Sequence, residues 1–131
     1  MKLKQISPWT NIKSIESKVD SSVLSWLKES GPITKRIKLG KKFELKLLND
    51  ELDEISKEER LFLGSSSKTF KVRKVILFGD DAPIVFAKSV IPTLTIDKGL
   101  SSLGKIGNAP LGDILFTPSV FIKLEMVCAS F

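Results

Sequence analysis

Arg73 heads the run RKVILF, a guanidinium set among β-branched and aromatic residues. A cation in such a strand must either snorkel to water or meet an anion, because burying it alone is too costly. It is therefore the strongest candidate in the chain for an anion-binding residue. The anion is supplied either by a ligand or by the fold itself. The rest of the inventory narrows the chemistry. The chain has no histidine and one cysteine, Cys128. That excludes Ser-His-Asp and Cys-His catalysis, histidine metal sites and thiolate clusters. Acid–base work falls to carboxylates, lysines or water, and no metal dependence is expected. Gly64-Ser65-Ser66-Ser67-Lys68 lacks the second glycine and the Gly-Lys-Ser/Thr ending of a phosphate loop, and it reads as a linker.

The elements that must position Arg73 follow from patterning. Thr69 to Phe78 reads as a long strand, Gly79-Asp80-Asp81 as turn chemistry, and Ala82 to Ile91 as the antiparallel return that Pro92 ends. Upstream, Ser21 or Ser22 can cap a helix bearing Val23, Leu24, Trp26 and Leu27, stopped by Gly31 and Pro32. Trp26 reads as a core anchor. Ile33 to Leu39 is expected to be a strand, Gly40 to Lys42 a turn, and Phe43 to Leu48 its hairpin partner. The acidic stretch NDELDEISKEER (49–60) reads as a solvated excursion, either a loop or a short helix capped by Asn49 or Asp50. Helical turns are expected at Leu100 to Leu103 and from Pro110-Leu111-Gly112-Asp113, and a last strand at Val120 to Val127. The order predicts an α+β fold, an antiparallel β-sheet with helices packed on one side.

Composition bounds the rest. The 131 residues suit one domain with a real core, residues 1–18 forming an extended arm. Hydrophobic residues at 42% and charged residues at 27% argue against disorder. No apolar run approaches the roughly 20 residues of a membrane helix, no secretory signal is visible, and a single cysteine rules out an internal disulfide and suits the cytoplasm; a monomer is expected. The net charge of +6 invites an anionic partner, but the cations are scattered and no recognition helix, zinc finger or stacking signature accompanies them. The expectation is no nucleic-acid partner and a basic surface that serves solubility.

Four blocks, taken in order, carry a resemblance: WLKESGPITKR (Trp26–Arg36), VRKVIL (Val72–Leu77), FAKSVIP (Phe86–Pro92) and LGKIGNAPLGDILF (Leu103–Phe116). Together they resemble the chorismate pyruvate-lyase family, whose members convert chorismate to 4-hydroxybenzoate and pyruvate in ubiquinone biosynthesis. The resemblance implies an antiparallel sheet flanked by helices, a ligand enclosed beneath flap-like segments, and no cofactor. It also implies that Arg73 grips the ring carboxylate, and that main-chain groups at Ile33 and Leu111 contact the ligand. Ile33 stands where the family has methionine, a change that a backbone contact survives. The family pattern continues to a final strand, Leu-Thr-Glu-hydrophobic-Leu-Pro, that supplies an active-site glutamate. Here TPSVFIKLEMVCASF resembles the strand before it, so the expectation is a shortened and impaired lyase with no assignable catalytic residue. Glu125, the only carboxylate after Asp113, is the one possible stand-in. A non-catalytic module binding small aromatic carboxylates, as in effector domains of some bacterial regulators, is the alternative.

Overall fold

The structure is a computed structural model that describes residues 3–97, 106, 107, 110, 111, 115 and 121–131. Its centre is β2 (Phe70–Gly79), paired on both sides in a three-stranded antiparallel sheet of order β1-β2-β3, with β1 at Phe43–Asp53 and β3 at Ala82–Pro92. The β2–β3 hairpin turns on Asp80 and Asp81, both left-handed with φ of 50° and 66°. Two such residues in a row give the turn whose twist matches that of the flanking strands. Aspartate tolerates this backbone when its carboxylate bonds locally. Here Asp80 accepts from the Lys42 N–H at 2.8 Å and donates its own N–H to the Lys42 carbonyl at 2.9 Å, which ties the turn to the start of β1. Gly79 precedes the turn because a side chain has little room there. A Cβ would stand 2.5 Å from Ile84 Cδ1 and 2.9 Å from Lys41 Cδ.

A bulge in β1 decides which residues share a face. The register runs Leu45↔Leu77 and Leu47↔Val75, then skips Leu48 and resumes at Asn49↔Lys74 and Asp50↔Arg73. One extra residue exchanges the two faces. Without it, Asp50 would point away from the side that carries Leu45, Leu47 and Arg73. Asn49 closes the interrupted ladder, its Nδ2 donating to the Val72 carbonyl at 2.7 Å.

Four α-helices accompany the sheet among the described residues. In α1 (Ser21–Leu27) the cap is Asp20, one residue before the expected serines, accepting from the Ser22 N–H at 2.8 Å. The expected strand at Ile33 to Leu39 is instead α2 (Ile33–Lys38), so no hairpin joins it to β1. A six-residue helix is unstable alone, and tertiary contacts account for it. Ile37 is buried against Val75 and Leu77, with Trp26 and Ile33 packed around it. Arg36 lies 4.2 Å over the Trp26 ring and donates to the Ser25 carbonyl at 2.6 Å, fastening α2 to α1.

The acidic stretch divides in two. Its first half extends β1 to Asp53, and its second enters α3 (Lys57–Leu63). The cap there is Ser56, in a reciprocal box with Glu59, and neither Asn49 nor Asp50 takes that place. Register places Lys88 on the face opposite Arg73, where it pairs with Glu59 at 2.9 Å, while Arg60 lies over Phe70. α4 (Thr93–Asp97) continues directly from β3. The fold is α+β, with α1 and α2 covering the main apolar face of an antiparallel sheet.

The last strand expected from the sequence is not seen among the described residues: residues 121–127 form no ladder with any of them, and Ile122 and Leu124 are exposed. What the segment does instead is meet the N-terminal arm. Thr10 and Cys128 exchange main-chain hydrogen bonds at 2.9 and 2.7 Å, and Trp9 meets Phe131 edge to face. The turn expected at Leu100 to Leu103 lies outside the described residues, as does most of the one from Pro110.

Candidate functional site

Alternation along β2 sends Lys71, Arg73, Val75 and Leu77 to the face that α1 and α2 cover. Cross-strand register sets Asp50 and Ser89 on either side of Arg73, and Leu52 and Ile91 on either side of Lys71. Only 2% of Arg73 and 6% of Lys71 is exposed. Charges this deep require an anion, and Asp50 divides its carboxylate between them. Its Oδ2 is 3.6 Å from Arg73 Nη1 and its Oδ1 is 2.9 Å from Lys71 Nζ. The lysine approaches that oxygen out of hydrogen-bonding alignment, so the contact is an ion pair. Arg73 Nη1 also donates to the Gly107 carbonyl at 2.7 Å. Gly107 has φ of 59°, a left-handed backbone that a side chain would strain. Burial pushes the Arg73 pKa below its ordinary value, and the neighbouring Asp50 charge pushes back. Guanidinium remains charged at any physiological pH.

Arg73 lies between two apolar clusters. Toward the hairpin, Val75 belongs to the group of Ile37 and Leu77, against which Ile33 packs. Toward the start of β2, Ile91 stands across from Lys71 and packs with Ile106, with Leu111 and Phe121 against that pair. The three binding residues expected from the sequence thus fall on one side of the sheet, though Ile33 and Leu111 join different clusters. Ile33 begins a helix and not a strand. Its N–H therefore belongs to a first turn that has no intrahelical acceptor, and Pro32 offers no side-chain cap. Glu125 is exposed within a segment that pairs with no strand among the described residues. Two open depressions, about 350 Å³ beside Glu44 and Phe78 and about 580 Å³ beside Arg60 and Phe70, take in none of these residues.

Two residues of this centre escaped the sequence reading. Asp50 sat inside an acidic run that looked solvated, and the bulge that turns it inward leaves no plain mark in the sequence. Lys71 did leave a signal. It stands two residues before Arg73, so any strand that buries one cation carries the other on the same face.

Comparison with known proteins supplies an independent line. A family described as chorismate lyase matches residues 3–129. A probable chorismate pyruvate-lyase from Pseudoalteromonas translucida (strain TAC 125) is 29% identical over 119 residues, which is 90% of this chain and 66% of that protein. A chorismate pyruvate-lyase from Pectobacterium atrosepticum is 37% identical over 70 residues, 53% of this chain and 34% of that protein. A probable chorismate pyruvate-lyase from Pseudomonas putida is 33% identical over 125 residues, 92% of this chain and 68% of that protein. The matches thus span from 34% to 68% of the length of these relatives.

Proposed function

The chain belongs to the chorismate lyase family, and from that premise we propose that it eliminates pyruvate from chorismate to leave 4-hydroxybenzoate, the ring precursor for ubiquinone. The observation that carries this reading is the buried Arg73, charged and set between two apolar clusters on one side of the sheet. That setting suits a flat ring bearing a carboxylate: apolar walls for the ring, a fork of N–H donors for the acid.

The reaction asks little else of the protein. The ether bond between ring and enolpyruvyl group breaks, and its electron pair leaves with enolpyruvate. The ring loses the proton at its carbinol carbon and becomes aromatic, while the enol gains a proton at its methylene to become pyruvate. Atoms balance without an oxidant or reductant. Aromatisation drives the step, so the work left is to hold one conformer in a dry setting and oppose the developing charge. Arg73 anchors the ring carboxylate, and main-chain groups at Ile33 and Leu111 orient the ring. The helical N–H of Ile33 is better placed for such a contact than a strand N–H already committed to a ladder.

The test is turnover. Purified protein is incubated with chorismate and 4-hydroxybenzoate is followed by chromatography. Arg73→Lys keeps the charge but loses the fork, and kcat/KM is expected to fall on the order of 10- to 100-fold, the worth of one charge-assisted contact. Cooperative unfolding of the variant confirms that it is folded. Absence of product with the unaltered chain overturns the proposal, and tight 4-hydroxybenzoate binding without turnover favours a non-catalytic binding module.

A further inference from the structure

Resting on the lyase reading, we propose that Lys71 is a specificity-determining contact for the second carboxylate of a dianionic substrate, held at its spacing from Arg73 by Asp50. Lysine is rarely so deep in a protein. Lys71 is as buried as Ile91, which stands across from it on β3, while Leu52, across from it on β1, is 63% exposed. Its place is dictated by the pleat. Two residues from Arg73 on the same face, its stem rises roughly 7 Å along the strand from that of the arginine.

Asp50 then sets the heads. With one oxygen 3.6 Å from Arg73 Nη1 and the other 2.9 Å from Lys71 Nζ, it keeps both cations on the same side of the sheet and prevents their mutual repulsion from parting them. The bulge before Asn49 makes this possible by turning Asp50 inward. Chorismate carries two carboxylates on 1,3-related substituents, one on the ring and one at the end of the enolpyruvyl ether. Two cations one pleat apart suit that pair, whereas a single arginine suits a benzoate-type monoanion. An ammonium has three donors on a flexible stem, so Lys71 exchanges partners readily when a second carboxylate arrives. The product lacks that carboxylate. Lys71 therefore favours substrate over 4-hydroxybenzoate and limits product inhibition.

Lys71→Met retains the apolar stem and removes the charge. With the full chain, KM for chorismate is expected to rise on the order of 10- to 100-fold while the inhibition constant of 4-hydroxybenzoate moves less than about threefold. Lys71→Arg is expected to restore most of the chorismate affinity. An equal loss for both ligands, or no loss for chorismate, in a variant that unfolds cooperatively overturns the inference and leaves the lyase reading intact. A second measurement needs no variant. Chorismate esterified at the enolpyruvyl carboxylate is expected to bind the unaltered chain on the order of 10- to 100-fold more weakly than chorismate itself, and equal binding overturns the inference. If the unaltered chain neither binds nor converts chorismate, both this inference and the lyase reading fall.

Discussion

Asp50 and Glu59 are carboxylates nine residues apart in one acidic run, yet they do different work. Asp50 lies between two buried cations, its side chain 14% exposed, and Glu59 meets Lys88 at the surface. Burial makes the difference, because Coulomb attraction grows and solvent competition falls away from water. Removing one partner of a buried group leaves the other charges less well compensated, which typically costs about 3–5 kcal/mol. Asp50→Ala is therefore expected to lower the unfolding free energy by about that amount in urea titrations. A loss under about 1 kcal/mol, the scale of a surface pair, would show that Asp50 is not the counter-ion of Lys71 and Arg73.

At the scale of elements, α3 is a short helix whose start depends on charge. Burial pushes the Glu59 carboxyl up, but the Ser56 N–H and the Lys88 ammonium outweigh it and hold its pKa below the ordinary 4.5. A depressed acid stabilises the fold above its unfolded pKa, and that stability is lost as pH falls through the folded value. Glu59→Gln keeps the capping-box geometry and deletes the charge. It is expected to cost about 0.5–1 kcal/mol at neutral pH and nothing once both chains are fully protonated in acid. Thermal melts of the two proteins from pH 7 downward read this directly. Equal differences at every pH would mean that the charge is not what matters. The neighbouring correction, α2 in place of a strand, has the same root. ITKRIKL places Ile33 and Ile37 four apart as a helix needs, but it also alternates well enough for a strand. Trp26 and the Ile37 pocket decided between them.

Across the whole molecule, stability is unevenly held. β2 is hydrogen-bonded on both sides and carries half of the buried apolar residues among those described, whereas the contact between the arm and the last residues rests on a few main-chain bonds and two half-exposed rings. Native-state hydrogen exchange is expected to rank them accordingly. The amides of Val72, Arg73 and Val75 should exchange only on global unfolding, and those of Thr10 and Cys128 through local opening at least about tenfold faster. Equal rates would mean that arm and sheet open as one unit. The α+β class was legible at this scale, because strand, turn and return strand from Thr69 to Pro92 are written in β-branched runs and turn residues. The final strand was not. Its apolar residues had the right composition, but a strand exists only where a neighbour accepts its hydrogen bonds, and no periodicity names the neighbour.

By itself the sequence determined that a guanidinium would lie in an apolar strand, and that histidine and thiolate-cluster chemistry had no residues to build on. Local propensity and residue inventory settle such matters, since neither depends on distant contacts. Tertiary structure decided what that guanidinium meets. Asp50 reaches Arg73 only because one extra residue in β1 reverses the face on which it falls, and Lys71 joins them because the same strand is buried along that face. Pairing across strands fixes register, and register assigns faces. A carboxylate that looked like part of a solvated run thereby became the anion at the centre of the site.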